Sequence, residues 1–205
     1  MAEIIYTHSL TTVARVKNRL VITDSGFDTV FLRGINAMTD LIESYCNRRF
    51  KSTMYTDQII STRHGGTDLL LKQSPVTSLA SISYTVGMPK TWTAYNATND
   101  YELIEDGKSG IVKMYAGLPK GENTIKVTYT AGYLIDWANF GSSTHTLPAD
   151  LSDLCERLVV RIFKRRDAEG KSQEGFESNA ITWATELTKE DKMTLAKYKR
   201  FAPFE

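Results

Sequence analysis

The chain has 205 residues, of which 41% are hydrophobic, and 25 basic side chains face 24 acidic ones for a net charge of +1. This composition is ordinary for a globular protein that buries a real core, in one domain or in two small ones. A charge so close to zero provides no chain-wide attraction to nucleic acid or to an anionic membrane. Any contact with DNA would have to be local.

The start of the chain, MAEIIYTHSL, lacks a basic segment followed by an apolar one, and no apolar run reaches the roughly 18 residues that span a bilayer. We therefore expect a protein that is made and kept in the cytosol, without a membrane partner. Cys46 and Cys155 fall within apolar helical patterns. This placement favours two buried thiols over a disulfide or a redox site.

Two helices are predicted near the N-terminus. Val13, Val16 and Leu20 recur at helical spacing and predict a short amphipathic helix. Its possible N-caps are Ser9, Thr11 and Thr12. A longer helix is predicted over Asp28–Asn47, where Gly34 weakens the pattern slightly. Its apolar stripe consists of Phe31, Ile35, Met38, Leu41, Ile42 and Tyr45.

From Lys51 the hydrophobic period changes to two, which is typical of strands. The segments YTDQIIST and TDLLLK predict a β-hairpin, because Gly65 and Gly66 between them offer the positive φ angles of tight turns. Further strands are predicted in LASISYTV, NDYELI, GIVKMY and NTIKVTYTA. In the last of these, Ile125, Val127, Tyr129 and Ala131 share one face. Together these segments predict a compact antiparallel sheet.

A polar loop, Leu134–Thr146, precedes the strongest core helix, which is predicted over Pro148–Arg166. Asp150 and Asp153 suit the positive end of its dipole. The segment DAEGKSQEGFESN then predicts a polar linker, and AITWAT an extended piece. Thr188 and Asp191 have the spacing of a capping box that opens a last helix.

These elements predict an α+β fold: a small helical bundle, made from N- and C-terminal helices, with an inserted antiparallel β-sheet region. Residues 1–50 would supply the N-terminal helices and residues 51–133 the β insertion. Residues 134–170 would complete the bundle with a loop and a core helix. Residues 171–205 would form a linker followed by a docking helix and tail.

The sequence carries no convincing catalytic or ligand-binding motif. His8, His64 and His145 are far apart, and none belongs to a zinc-binding pattern. There is no GxSxG elbow, P-loop, GxGxxG or CxxC motif. We therefore expect no enzyme activity, no metal and no cofactor.

Aromatic residues outside the core stripes are the candidates for contact with a partner. Trp92, Trp137 and Trp183 lie in loops or at the edges of elements. Each could either anchor a partner or be partly buried within the fold, and the sequence leaves both alternatives open. The candidate interface residues are Trp137, Phe140, Phe176, Trp183, Tyr198, Phe201 and Phe204.

An ordered set of segments resembles a known family. The segments are LTTVARVKNRL, LIESYCNRRF, LLLKQSPVTSLASI, IKVTYTAGY, LPADLSDLCERLVVRIFKRR and LAKYKRF. In this order they resemble the head–tail connector, or head-completion adaptor, proteins of tailed bacteriophages. The strand-rich segment from Lys51 to Ala131 departs from the shortest, nearly all-helical members.

The resemblance implies a structural virion protein that forms a ring, commonly of twelve subunits, beneath the portal. Such a ring extends the channel for packaged DNA, without sequence-specific binding, and provides the docking platform for the next neck or tail protein. The expected partners are the portal protein, neighbouring copies of the chain and a downstream neck or tail-completion protein. The expected location is the virion neck, after assembly in the bacterial cytoplasm.

Other functions stay open at this point. The runner-up is another neck or tail-completion component, such as a stopper or terminator. A neck-borne enzyme would need acidic or histidine side chains that converge in a cleft. A DNA-binding regulator would need a stronger basic character than this chain has.

Overall fold

The structure, a computed structural model, describes residues 6–166, 173–176, 179–182 and 187–200; residues 173–176 and 179–182 are described by their backbone alone. The chain divides into two compact units. Arg49–Leu134 form the β unit, and the described residues before and after this segment form the helical unit. Helices together with antiparallel sheets confirm the predicted α+β class.

Four α-helices build the helical unit: α1 Val13–Leu20, α2 Asp28–Cys46, α3 Ala149–Arg165 and α4 Lys189–Ala196. Thr12 is the N-cap of α1, and its hydroxyl oxygen accepts a hydrogen bond from the Arg15 backbone N–H at 3.4 Å. In the predicted apolar stripe of α2, Phe31, Ile35 and Ile42 are buried, whereas Leu41 is 40% exposed. The helix ends in a left-handed cap at Asn47. Both long helices therefore lie within about one residue of the predicted bounds.

Helices α2 and α3 form the centre of the helical core. The rings of Phe31 and Phe163 are 4.7 Å apart. One turn further along α2, a Cβ added to Gly34 would lie 3.3 Å from a methyl group of Val159. The glycine that weakens the sequence pattern thus lets the two helices approach closely. Other fully buried members of this core are Ile35, Ile42, Leu151, Leu154 and Cys155.

The β unit contains two antiparallel sheets where the sequence predicted one. Its strands are β1 Thr53–Thr62, β2 Gly66–Leu70, β3 Val76–Tyr84, β4 Thr93–Ala94, β5 Tyr101–Leu103, β6 Ile111–Leu118 and β7 Gly121–Ala131. The order of the larger sheet is β1-β7-β3-β4, and that of the smaller sheet is β2-β6-β5. A short 3-10 turn, Ile104–Gly107, follows β5.

The predicted hairpin between β1 and β2 is wrong. The turn is present, since the Gly65 N–H donates to the Thr62 carbonyl oxygen at 3.0 Å. The two strands then diverge, and β1 pairs with β7 whereas β2 pairs with β6. Gly65 and Gly66 allow the chain to change direction. Packing between residues distant in sequence determines which strands pair.

Strand β7 is the central strand of the larger sheet and shows the predicted alternation. Ile125, Val127, Tyr129 and Ala131 are buried in the core of the β unit. The strand stops at Gly132, whose φ is +113° and whose added Cβ would lie 2.6 Å from the Lys51 carbonyl oxygen. The close passage of another backbone segment therefore requires glycine at this position.

Two shorter elements follow α3. Strands β8 Gln173–Phe176 and β9 Asn179–Thr182 pair with each other as an antiparallel hairpin. Thr188 and Asp191 form the predicted capping box at the start of α4. None of the described helices is both long and apolar enough to cross a membrane.

Candidate functional site

A cluster of aromatic rings occupies the loop that joins the β unit to α3. The rings of Trp137 and Phe140 stack with centroids 5.9 Å apart, and His145 lies 4.7 Å from Trp137 and 4.9 Å from Phe140. The Arg15 guanidinium carbon is 4.3 Å from the centre of the Phe140 ring. We call Arg15, Trp137, Phe140 and His145 the aromatic cluster.

The loop is fixed by hydrogen bonds around Asp136. Its carboxylate accepts from the side chain of Asn139 at 2.9 Å and from the hydroxyl of Thr144 at 3.0 Å. These two contacts, first that of Asn139 and then that of Thr144, hold the pKa of Asp136 below its ordinary value. The Trp137 indole N–H donates to the Ser9 carbonyl oxygen at 3.2 Å. These hydrogen bonds restrain the loop and the Trp137 ring.

The position of Arg15 is set by a buried carboxylate. Arg15 Nε is 2.6 Å from Glu156 Oε1, and the Thr11 hydroxyl donates to the same oxygen at 3.1 Å. Arg19 approaches the other oxygen of Glu156 at 3.5 Å and also pairs with Asp153 at 2.5 Å. Because the Glu156 side chain is only 8% exposed, its charge requires these cations. This network joins α1 to α3 beneath the aromatic cluster.

The exposed part of the cluster suits protein recognition. Phe140 is 49% exposed, and Trp137 is half-buried. Rigid aromatic rings beside an arginine are enriched among residues that contribute most to protein–protein binding, because they bury much area at little entropic cost. The cluster thus presents a partly exposed aromatic surface next to an arginine.

The other candidate interface residues have different surroundings. The Tyr198 hydroxyl donates to Asp150 Oδ1 at 2.6 Å and so ties the end of the chain to α3. Phe176 ends strand β8, but its side chain lies outside the described residues. Trp183, Phe201 and Phe204 also lie outside them. Among the candidates whose side chains are described, the structure brings Trp137 and Phe140 together. It adds Arg15 and His145, which the sequence analysis did not select.

A shallow groove of about 390 Å³ lies in the β unit, beside Tyr84 and Tyr95. These rings are 4.6 Å apart, and the Tyr95 hydroxyl donates to the Gly117 carbonyl oxygen at 2.8 Å. Burial, assisted by the nearby Tyr84 and Asp100, raises the pKa of Tyr95. Asp100 is the one carboxylate in the lining, and its Oδ2 accepts from the Asn96 backbone N–H at 2.7 Å. The groove therefore lacks the paired groups of acid–base catalysis.

Within the described part of the chain, one group of side chains has the arrangement of metal ligands. His8 lies near Asp40 and Glu43, whose carboxylates project from α2. This group could not be predicted from the sequence, because His8 belongs to no recognisable ligand motif.

The structure thus places a partly exposed aromatic cluster on a helical unit into which a β unit is inserted. The sequence matches the family model described as head completion protein over residues 9–201. The chain therefore belongs to the head completion protein family, a family of structural virion proteins. The family predicted from the sequence segments is confirmed. No curated protein sequence matches the chain significantly.

Solved structures with the same fold come from a phage-like particle. A chain in the neck of an empty gene transfer agent (GTA) particle, computed with C6 symmetry, matches with a TM-score of 0.59 and 16% identity; the match covers 94% of this chain and 90% of that chain. A chain in the neck of the native GTA particle, computed with C12 symmetry, matches with a TM-score of 0.57 and 15% identity over the same shares. A chain in the virion of the native particle gives a TM-score of 0.57 and 16% identity over 94% and 90%.

Proposed function

We propose that this head completion protein is a head–tail connector that assembles as a ring, with twelve subunits, beneath the portal of a phage-like virion. The ring extends the channel through which packaged DNA passes and provides the platform for a neck or tail protein. The observation that carries the proposal is the family match over residues 9–201. The shared fold with a chain of a neck computed with C12 symmetry supports the subunit number.

A closed ring requires two dissimilar patches on each subunit, because its contacts run head to tail. We assign helices α2 and α3 to the core of the subunit, and the Leu134–Thr146 loop and the β unit to contacts with neighbours or tail proteins. The aromatic cluster supports this assignment with an exposed, preformed apolar surface. The β unit adds exposed apolar side chains, among them Val86 at 72%, Met88 at 83% and Tyr115 at 63%.

We assign the C-terminal residues to the portal. The last described residues are attached to the helical unit. The Tyr198 hydroxyl donates to Asp150, and the Arg200 N–H donates to the Cys46 carbonyl oxygen at 2.8 Å. The aromatic residues Phe201 and Phe204 follow directly. The residues that follow therefore start from a fixed point on the helical unit, and we assign Phe201 and Phe204 as the aromatic anchors to the portal.

The test is the mass of the purified protein with and without portal, measured by mass photometry and negative-stain imaging. We expect monomers alone and a ring on the portal, since a template offsets the entropy lost when many subunits assemble. Failure to bind portal would reject the connector role. Rings that form only on tail components would favour a stopper or terminator.

Two variants locate the surfaces in the same assay. Phe140→Ala should leave binding to portal intact but weaken contact with neighbours or tail proteins by at least about tenfold. Val30→Ala is the matched control, because Val30 is 46% exposed on α2 and outside the aromatic cluster. Deletion of residues 201–205 should abolish binding to portal while the subunit stays folded.

A further inference from the structure

The segment from Tyr6 to Leu10 is fixed along α2 at two points. The Tyr6 backbone N–H donates to Asn36 Oδ1 at 3.0 Å, and the Leu10 backbone N–H donates to the Thr39 hydroxyl oxygen at 3.2 Å. His8 lies midway between these anchors, and its ring stacks on that of Tyr6 at 4.9 Å. The imidazole is therefore held over one face of α2.

Two carboxylates on that face point towards the imidazole. His8 Nε2 is 3.8 Å from Asp40 Oδ1 and 3.8 Å from Glu43 Oε2, and the three ligating atoms lie within 4.8 Å of one another. Asp40 and Glu43 are neighbours on the helix because they are three residues apart. A separation of 3.8 Å is too long for direct hydrogen bonds from the imidazole.

The burial of the group favours a bound cation. His8 Nε2 is inaccessible to solvent and has no hydrogen-bond partner among the described residues. The Glu43 side chain is only 4% exposed, and a buried carboxylate is costly unless cations or donors surround it. A positive ion beside the imidazole would give Nε2 the partner that it lacks among the described residues, and would add to the contacts that Glu43 already makes.

We propose that His8, Asp40 and Glu43 bind a divalent first-row transition-metal ion such as Zn²⁺. One imidazole nitrogen and two carboxylate oxygens form a mixed ligand set that suits Zn²⁺ and its neighbours better than Ca²⁺ or Mg²⁺. Metal–ligand bonds of about 2.0–2.2 Å place such ligands closer together than 3.8 Å, so the group must contract slightly. Asp40, whose side chain is 52% exposed, can rotate to do so and leaves room for water ligands.

The role of this ion would be structural. It would tie the segment around His8 to α2 and add to the two hydrogen bonds that already align it. This inference is independent of the connector function, because it concerns only the internal cohesion of the helical unit.

The test is a calorimetric titration of the EDTA-treated, full-length protein with Zn²⁺. We expect one saturable site per chain and a rise in the melting temperature on binding. His8→Ala and Asp40→Asn should each weaken binding by at least about tenfold, which is the scale of losses at metal sites. Asp40 is exposed, so the second variant tests the ligand set without emptying the core.

His64→Ala is the control, since His64 lies in a turn of the β unit and should leave the affinity unchanged. Absence of saturable binding, or equal affinity in the wild type and the His8→Ala protein, would overturn the proposal. The three groups would then be close neighbours that bind no ion.

Discussion

Arg161 on α3 donates a hydrogen bond from Nη1 to Asp191 Oδ2 on α4 at 2.8 Å. Asp191 is completely buried, and the same carboxylate oxygen accepts the Thr188 backbone N–H at 3.0 Å. One side chain thus caps α4 and attaches it to α3. Burial by itself would raise the pKa of Asp191, but the hydrogen bonds from Arg161 and Thr188 outweigh it and lower the pKa.

The first prediction concerns acid stability. Because the pKa of Asp191 is lower in the folded chain, its contribution is complete above the ordinary Asp pKa of about 3.9 and is lost as pH falls through the lower folded value. Asp191→Asn should reduce the free energy of unfolding at pH 7 by about 1.5–3 kcal/mol. It should also flatten the pH dependence below about pH 4, as measured by urea unfolding.

The control for this prediction is Asp68→Asn. Asp68 pairs with Lys113 over the same 2.8 Å, but its side chain is 61% exposed. Exposed pairs contribute only about 0–1 kcal/mol. If both variants lost the same free energy of unfolding, burial would not be what makes Asp191 important.

The second prediction concerns Arg15, which contacts Glu156 and the Phe140 ring. Arg15→Met should lower the free energy of unfolding by about 1–3 kcal/mol, because Glu156 loses a charged donor. Arg15→Lys keeps the charge but loses the planar group that stacks on the ring. Both variants should speed amide hydrogen exchange in the Leu134–Thr146 loop, and unchanged exchange would show that Arg15 does not hold it.

The third prediction concerns Gly132. Gly132→Ala should destabilise the β unit by about 3 kcal/mol or more, since it adds a backbone clash to an unfavourable φ. Gly66→Ala is the control, because Gly66 has a φ of +122° with nothing within 4 Å of an added Cβ. Thermal unfolding of the two variants separates the clash from the strain. If Gly132→Ala and Gly66→Ala lost similar stability, a small shift of the backbone would be relieving the clash at Gly132.

The fourth prediction concerns the thiols. Burial raises the pKa of Cys155 to about 12 and that of Cys46 to about 11. Neither side chain should react with a thiol reagent at pH 8 in the folded protein, because the reactive thiolate is absent at that pH. Both should react at once in denaturant. Rapid modification of the native protein would show that the core opens around α2 or α3.

Local patterns predicted the helices well, because one apolar stripe determines both the type and the length of a helix. Asp28 begins α2 as expected, and Thr188 and Asp191 form the expected cap. The pairing of strands was harder to predict. Thr53 on β1 lies opposite Ala131 on β7, and a local turn signal contains no information about so distant a partner.

The same limit applies to the candidate site. Trp137 and Phe140 could be selected from the sequence because they are large, apolar and outside the core stripes. Arg15 and Glu156 could not, since a sequence separation of 141 leaves no periodic signal. Ion pairs of this kind arise from the packing of α1 on α3, which only the folded chain reveals.

The ends of the β unit lie side by side. The Ser52 N–H donates to the Tyr133 carbonyl oxygen, and the Tyr133 N–H donates to that of Phe50, both at 2.7 Å. A short linker could therefore replace everything between them at a modest entropic cost, because the distance to be bridged is already closed. The β unit could therefore be gained, enlarged or lost during evolution without a change in the helices that flank it in the chain.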